Sequence, residues 1–290
     1  MIKYIKKKNI DIEKYNLCIE KSLQIRVYGM SWYLDIVAEN WDVLVLNDYE
    51  AVMPLPWKKK YTIKYITQPY FCQQLGVFSQ KKLSKCEEID FVKKIPFYFF
   101  KTTLSFNAGN CILSNSVKLN YILDLSMDYT TLKKNFSKGR KHAIQKGAQN
   151  NLEIKTIEIN EIIKLQKSNY LYFFPESKLE KLFECVRKKN IGEVLGVFKG
   201  NTFLGGGFFI RYKNRIIYLF SAFDDLGRKL QASSFLLSKI IEKESGQNLI
   251  LDFEGGNMTN IGKFYRSFGA KVEKYPTINI YSIGLLFNKL

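Results

Sequence analysis

The chain has 290 residues, 46% of them apolar, which is enough for one large or two ordinary folded domains and excludes a disordered chain. Its formal net charge of +18 predicts attraction to anions such as nucleic acid, nucleotide cofactors or acidic membranes, although a lysine-rich genome would produce the same excess. The five cysteines are widely spaced without a CxxC pair, which speaks against a disulfide framework or a zinc site.

The start of the chain is basic, but no apolar core follows it, so no signal peptide is predicted. No run of about 18 apolar residues is present, so no membrane-spanning helix is expected either. These features predict a cytoplasmic protein, and they leave peripheral contact with a membrane open.

In the first half of the chain, apolar residues recur at helical spacing in some segments and follow a strand pattern in others. These patterns predict helices over 10–20, 31–39 and 87–94 and strands over 42–46, 51–56, 97–106 and 121–125. Pro54 and Pro56 indicate an edge strand or a strand end. The basic segment 57–61 is flanked by aromatic residues. It is typical of a solvated turn, but it also suits a surface on which Trp57 or Tyr61 stacks against a base.

The segment 68–77 carries amides and aromatic residues with neither a helical nor a strand period. Loops of this composition often line a pocket, so Tyr70, Gln73 and Gln74 are candidate substrate-binding residues. The alternative is a buried connector whose amides satisfy backbone groups.

A boundary near 126–131 predicts two domains, over 1–126 and 127–290. In the second, the patterns predict helices over 129–134, 136–149, 161–169, 176–189 and 233–244 and strands over 152–157, 193–199, 203–212 and 215–223. The aromatic segment 170–175 suits either a lid or a core plug.

The helix over 136–149 carries the densest group of cations in the chain, with Lys138, Arg140 and Lys141 in its first turn. Residues three or four apart share a helix face, so this face is the best candidate for binding a polyanion; a solvated helix surface is the alternative. His142, the only histidine, is expected at the surface.

Two further segments are candidates for binding a ligand through backbone groups. Gly205 and Gly206 lie inside a predicted strand, where glycine permits a bulge or close approach of a ligand. Arg228, Lys229 and Gln231 precede a helix whose free N–H groups and dipole attract phosphate; a plain helix cap is the alternative.

The sequence 251–257, Leu-Asp-Phe-Glu-Gly-Gly-Asn, predicts a short buried strand, a tight turn and then a helix ending at Gly269. Side chains alternate along a strand, so Asp252 and Glu254 are expected on one face. Carboxylates at the carboxyl end of such a strand mark a candidate active site. The alternative is that both acids merely cap the helix.

The run 251–270 resembles the C-terminal signature of the FemAB-like branch of the GNAT-fold acyltransferases. The basic segment 137–143, the glycines at 205–207 and the Tyr-Leu-Phe-Ser-Ala run at 218–222 occur upstream in the order expected of that branch. This resemblance covers about residues 126 to 282. It implies an α/β (α+β) fold of two tandem GNAT-like lobes, each a mixed, mostly antiparallel sheet flanked by helices.

The resemblance also implies acyl or aminoacyl transfer to an amine, from acyl-CoA or aminoacyl-tRNA as co-substrate, with no permanently bound cofactor or metal ion. Asp252 or Glu254 would be the general base or orient the acceptor, a splayed strand at Gly205 and Gly206 would receive the donor, and the acceptor could be a cell-envelope precursor.

This sequence departs from the family pattern at two positions. Tyr265 follows Phe264 where the family has lysine, and Gln231 occupies the glycine position of the acetyl-CoA loop. A nucleic-acid or nucleotide-sugar binding protein without catalysis is therefore the alternative function.

Overall fold

The computed structural model describes residues 1–112, 114, 116–169 and 173–282. Within them the chain forms two compact units. The first comprises Met1–Lys118 and the described chain from Lys274 onward, and the second comprises Leu119–Glu273. The predicted lobes 1–126 and 127–290 stay a prediction; the compact units differ from them because the chain from Lys274 groups with the first unit.

The first unit is built on a mixed sheet with strand order β1-β2-β3-β4-β6-β13, and β5 pairs with β3. Only β4 and β6 run parallel; the other pairs are antiparallel. Its elements are β1 (Ile2–Ile5), α1 (Ile12–Lys21), α2 (Ser31–Val37), β2 (Asn40–Leu46), β3 (Ala51–Lys60), β4 (Ile63–Thr67), β5 (Phe78–Ser79), α3 (Lys85–Lys93) and β6 (Phe99–Ser105). Two strands belong to both units by sequence, β7 (Ser116–Asp124) and β13 (Lys271–Tyr281).

The second unit has the strand order β7-β12-β11-β10-β9-β8, in which only β11 and β12 run parallel. Its elements are α4 (Tyr129–Lys134), α5 (Lys138–Gln149), β8 (Leu152–Thr156), α6 (Ile159–Asn169), α7 (Glu176–Lys188), β9 (Gly192–Lys199), β10 (Thr202–Tyr212), β11 (Arg215–Phe223), α8 (Asp225–Lys229), α9 (Ala232–Glu244), β12 (Ile250–Asp252) and α10 (Thr259–Arg266). A buried core that includes Phe235, Leu236, Phe253 and Phe268 lies between the sheet and helices α5, α9 and α10.

The two units share one topology. In each, a strand is followed by two helices, three antiparallel strands, a helical segment, and a fifth strand parallel to the fourth. A sixth, antiparallel strand completes each sheet. This arrangement confirms the predicted fold class of two tandem α/β lobes.

Pro54 and Pro56 suggested an edge strand or a strand end, but β3 continues to Lys60 and lies between β2 and β4. Pro54 and Pro56 lie between the short stretches that pair with β5 and with β4, at residues 51–52 and 57–60. Proline cannot donate a ladder hydrogen bond. The prolines are therefore tolerated because the side of β3 away from β2 has no ladder partner there among the described residues.

The predicted elements of the second half agree with the structure to within a few residues, but two points differ. The short helix α8 was not predicted; it precedes α9, with Gln231 in a left-handed conformation (φ 63°) between them. The predicted aromatic lid or plug over 170–175 lies partly outside the described residues, since only 173–175 are described.

A buried carboxylate organises the start of the first unit. Asp42, in β2, accepts hydrogen bonds from the Tyr4 hydroxyl at 2.6 Å, the Lys7 backbone N–H at 2.8 Å and the Trp57 indole N–H at 2.7 Å. Burial, followed by the hydrogen bond to Asp42, raises the pKa of Tyr4 well above its usual range. The phenol therefore stays protonated and remains a donor.

Substituting Asp42→Ala should leave three donors unsatisfied and lower the free energy of unfolding by about 2–4 kcal/mol. Urea unfolding of the purified protein measures this. The matched control is Asp48→Ala, which removes an exposed, solvent-screened ion pair with Lys14 and should cost much less. Equal effects of the two substitutions would contradict the structural role of Asp42.

Candidate active site at the divergence of β11 and β12

The parallel strands of the second unit separate after three residues. Strands β11 and β12 pair from Arg215 with Ile250 to Ile217 with Asp252, and β12 then ends. Strand β11 continues to Phe223 and pairs with β10 along its other side. Among the described residues, the β12 side of β11 has no ladder partner beyond Ile217. The backbone groups of Leu219 and Ser221 on that side have no ladder partner among the described residues and suit hydrogen bonding to an extended ligand.

This divergence lies elsewhere than the sequence suggested. Gly205 and Gly206 were expected in the splayed strand, but β10 pairs with β9 and β11 on both sides at these residues. A Cβ on Gly205 would lie 2.3 Å from the Ala222 carbonyl oxygen, and one on Gly206 2.3 Å from the Leu195 carbonyl oxygen. The glycines thus have a packing reason in the sheet, and their role in donor binding stays a prediction.

Asp252 closes the paired part of β12 and is fully buried (0% exposed). One carboxylate oxygen accepts from the Arg215 guanidinium at 2.6 Å. The other accepts from the Asn120 amide and from the Glu254 backbone N–H, both at 2.9 Å. Because both oxygens are already engaged, the geometry favours Asp252 as a positioning residue for the following turn.

Arg215 holds two acids at once. Its second terminal nitrogen donates to Glu273 at 3.0 Å, and Asn120 also donates to Glu273, at 3.1 Å. Burial alone would lower the pKa of Arg215, but the Asp252 and Glu273 carboxylates outweigh burial and raise that pKa above its usual range. The network is thus a buried guanidinium shared by two carboxylates.

The turn after β12 is fixed by the same network. Glu254 has a left-handed backbone (φ 51°), and the Gly255 N–H donates to the Asn120 side-chain oxygen at 3.0 Å. Gly256 has φ 134°, and a Cβ there would lie 2.2 Å from the Tyr121 ring. The predicted common face of Asp252 and Glu254 is wrong, because β12 ends at Asp252 and Glu254 belongs to the turn. Its side chain is half-buried.

Two tyrosines lie near the end of β12: Tyr218 follows Ile217, which pairs with Asp252, and Tyr265 of α10 contacts Phe253. The Tyr265 ring stacks on Phe253 with centroids 4.6 Å apart, and the Tyr218 ring stacks on Phe209 at 5.0 Å. Burial raises the pKa of both phenols; Tyr218 and then the negative charges of Glu254 and Asp252 add to the effect on Tyr265. Both phenols therefore remain neutral hydrogen-bond donors.

The predicted cationic face is divided between two sides of α5. Arg140 is buried and donates to the hydroxyls of Ser267, at 2.8 Å, and Ser234. Its guanidinium lies 4.2 and 4.6 Å from the centroids of Phe264 and Phe268. Burial lowers its pKa to about 10. Arg140 thus links α5, α9 and α10, and its role in substrate binding stays a prediction.

The remaining cations of this helix lie toward solvent. Lys138 is exposed, and the Lys141 ammonium donates to the Lys134 carbonyl at 3.0 Å. Lys141 also lines a cavity of about 370 Å³ with Lys133, Ile144 and Phe235. Lys239 lines it too, but its ammonium pairs with the Glu242 carboxylate at 2.7 Å. This cationic surface is open to an anionic ligand. His142 is exposed beside it, as expected.

The predicted phosphate loop lies around the short helix α8. Arg228 donates to the Phe223 carbonyl at 3.0 Å and to Asp225 at 3.2 Å, and Lys229 is exposed. Gln231 precedes α9, and its side-chain oxygen accepts from the Ser234 hydroxyl at 3.3 Å while its amide donates to the Arg228 carbonyl at 3.2 Å. The Gln231 side chain therefore lies beside the first turn of α9 without capping its N–H groups.

The amide segment belongs to the first unit. Gln74 is fully buried, accepts from the Ala108 N–H at 2.9 Å and donates to Gln73 at 2.8 Å. Tyr70 is exposed. These contacts favour the buried-connector alternative for the two glutamines; substrate binding by the three residues stays a prediction.

Sequence reasoning missed Arg215, Asn120, Tyr218 and Glu273. Each belongs to a strand. Arg215, Asn120 and Glu273 contact one another or Asp252 from distant parts of the sequence, so no local spacing marks them. Only the polar character of Arg215 and Asn120 inside otherwise apolar strands was visible.

Within the described residues, no helix is long and apolar enough to cross a bilayer, and no group of three His, Cys, Asp or Glu side chains is arranged to hold a metal ion.

Substituting Arg215→Met should lower the free energy of unfolding by about 3–5 kcal/mol, because two buried carboxylates lose their shared cation. Urea or thermal unfolding measures the effect. The control Arg187→Met removes an exposed pair with Glu158 and should cost less than about 1 kcal/mol. A small effect at Arg215 would contradict the proposed role of the network.

The comparisons with known proteins concern the fold. No family profile matches this sequence, and no curated protein matches it significantly. Among solved structures, FemX superposes with a TM-score of 0.67 at 9% identity, over 99% of this chain and 100% of the other. L-PGS from Bacillus licheniformis gives 0.55 at 8% identity, over 95% of each chain.

A third structure is the C-terminal domain of a protein described as a lysylphosphatidylglycerol synthetase from Agrobacterium fabrum. It gives a TM-score of 0.54 at 10% identity, over 96% of this chain and 94% of that domain. Identities this low establish shared architecture and nothing finer. The resemblance of this chain to the FemAB-like branch of the GNAT-fold acyltransferases is therefore confirmed for the fold.

Proposed function

We propose that this protein is an acyltransferase that moves an acyl or aminoacyl group from a polyanionic donor to an amine acceptor. The observation that carries this proposal is the divergence of β11 and β12 beside the turn that holds Glu254. It offers backbone groups of β11 that have no ladder partner among the described residues, together with a carboxylate and two protonated phenols in the same unit.

The divergence supports binding of the donor. An extended chain that carries amides or esters can hydrogen-bond to the β12 side of Leu219 and Ser221, which are half-buried. A backbone N–H fixed in a strand is also a suitable donor to the oxyanion of a tetrahedral intermediate.

Glu254 is the better placed of the two acids to act as general base. Asp252 is held by Arg215, Asn120 and the Glu254 N–H, whereas the Glu254 side chain starts from the turn itself. The left-handed backbone at a residue other than glycine is a strained conformation of the kind that clusters at functional sites.

In the proposed reaction, Glu254 removes a proton from the acceptor amine as its nitrogen attacks the donor carbonyl. The new C–N bond forms, and the C–O or C–S bond to the donor breaks. The leaving oxygen or sulfur takes a proton, for which the phenol of Tyr265 is the proposed donor, and the proton on Glu254 then restores the phenol. Tyr265 would thus take the part assigned to lysine in the FemAB-like family.

The contacts of Gln231 favour aminoacyl-tRNA over acyl-CoA as donor. A compact pyrophosphate would need space at the first turn of α9, and the Gln231 side chain, bonded to Ser234 and to the Arg228 carbonyl, lies beside that turn. The cationic surface of Lys133, Lys138 and Lys141 suits the distributed phosphates of RNA instead. FemX, L-PGS and the lysylphosphatidylglycerol synthetase domain share this fold. A cell-envelope precursor, which the resemblance to the FemAB-like branch implies, is the proposed class of acceptor. Mass spectrometry of the RNA and thioesters that copurify with the native protein distinguishes the two donors.

Substituting Glu254→Gln should lower turnover about a hundredfold or more with donor affinity unchanged, because the amide cannot accept the amine proton. The measurement is release of the labelled aminoacyl group from tRNA in the presence of amine acceptors, together with tRNA binding.

The control for this substitution is Glu184→Gln on the exposed face of α7, which should leave turnover unchanged. Binding of tRNA with no transfer by the unmodified protein to any amine tested would instead favour the alternative, a non-catalytic nucleic-acid binding protein.

Substituting Lys133, Lys138 and Lys141 with Gln should weaken tRNA binding and reduce the slope of log K against log salt by about 2 to 3, roughly one per lost phosphate contact. Filter binding over a salt series measures both. Replacing Lys181 and Lys188 of α7, and Lys189 at its C-terminal cap, with Gln removes the same charge elsewhere in the unit. Equal losses in both variants would show general attraction rather than a site.

A further inference from the structure

The first unit exposes a group of aromatic and aliphatic side chains at one end of its sheet. Tyr61 is 87% exposed and Phe97 78% exposed, and four further large side chains beside them are exposed. We call this group the aromatic–lysine edge. It comprises Tyr61, Ile63, Phe97, Tyr98, Phe100 and Tyr281, with Lys59, Lys60, Lys64 and Lys101 among them.

The strand register brings these residues together. Lys60 at the end of β3 pairs with Ile63 at the start of β4, and Lys64 pairs with Phe99 at the start of β6. At the last residue of β13, Tyr281 pairs with Lys101. One end of four neighbouring strands therefore carries the whole group.

The lysines of the edge lie against its rings. The Lys64 ammonium lies 4.6 Å from the Trp57 ring centroid and 5.6 Å from that of Tyr98, and the Lys101 ammonium lies 5.2 Å from that of Tyr281. Lys58, the neighbour of the edge, pairs with Glu39 at 2.6 Å. No such carboxylate pairs with Lys59, Lys60, Lys64 or Lys101 within the part of the chain that the structure describes. The edge thus combines apolar area with uncompensated positive charge.

We propose that the aromatic–lysine edge docks this protein on the surface of an anionic lipid bilayer. Exposed apolar patches on otherwise polar proteins mark interaction sites, and aromatic rings beside lysines suit the boundary between lipid headgroups and acyl chains. The aromatic side chains enter the boundary, while the lysine stems lie along apolar surface with their ammonium groups at the phosphates.

A lipid surface fits the edge better than RNA does. Trp57 was one of the two rings that the sequence suggested for base stacking. Its indole N–H donates to Asp42, the Lys64 ammonium lies over its ring, and the ring packs against Phe99 with centroids 6.1 Å apart. Phe97, Phe100 and Ile63 have no polar atom with which to bind a base edge or a phosphate. Their positions at strand ends suit insertion into a soft surface.

This proposal does not rest on acyl transfer, so it is tested on the full chain without substrate. Sedimentation with vesicles of phosphatidylcholine mixed with phosphatidylglycerol should exceed that with phosphatidylcholine alone and fall at high salt. The triple substitution Tyr61→Ser, Phe97→Ser and Phe100→Ser should lower the partition coefficient at least about tenfold. The double substitution Lys59→Gln and Lys60→Gln should lower it about tenfold.

Matched controls lie at the opposite end of β3, about 30 Å away at the usual rise per residue. There Ala51 pairs with Ser79 of β5, and the exposed Lys81 and Lys82 follow. The double substitution Lys81→Gln and Lys82→Gln should leave partitioning nearly unchanged. A tryptophan introduced by Phe97→Trp should add quenching by brominated lipids, whereas one introduced by Leu23→Trp, near Ser79, should add none.

Three results would overturn the proposal. Equal losses in the edge and control variants would show that only net charge matters. Loss of tRNA binding in the edge variants, without vesicle binding by the unmodified chain, would assign the edge to RNA. Concentration-dependent self-association that the triple substitution abolishes would make the edge an interface between two copies.

Discussion

The buried ion pair between Arg215 and Asp252 is the interaction on which the candidate site depends. It joins the first paired residue of β11 to the last paired residue of β12, because Arg215 pairs with Ile250 and its side chain reaches along β12 to Asp252. Taking these charges out of water costs several kcal/mol for each ion, and the cost is offset only where the geometry is good and other polar partners are present. Glu273 and Asn120 supply those partners. The strands are therefore held together at one point and free to diverge beyond it.

The same pair assigns different tasks to two acids that are two residues apart. Asp252 is committed to Arg215, to Asn120 and to the Glu254 N–H, so its charge serves to hold the turn. Glu254 is carried by that turn in a strained backbone conformation, which Asn120 reinforces by binding the Gly255 N–H. A base must be held in position to act on a bound amine, and a rigid turn anchored by a buried network provides this.

Features that depend on residues close together in the sequence were predicted, whereas contacts between residues far apart in the sequence were not. The helices and strands from α5 to α9 were predicted closely because their apolar periods are local. The turn at Gly255 and Gly256 was predicted because glycine pairs mark turns. The sequence did not predict that Glu254 lies outside the strand that holds Asp252, because the alternation of side chains does not show where a strand ends. Arg215 and Asn120 contact Asp252 from 37 and 132 residues away, and no periodic pattern reports such pairs.

The repeated topology shows why the chemistry is expected in the second unit alone. In the first unit, β4 and β6 also run parallel and cease to pair after Thr67 and Thr103. There the amide segment fills the position beyond: Gln68 accepts from the Ser105 N–H, and Leu75 forms a parallel bridge with Phe106. The amides that resembled a pocket lining thus complete the sheet of the first unit. In the second unit the described residues include no equivalent segment, and the carboxylates and phenols lie beside the place where the strands stay apart.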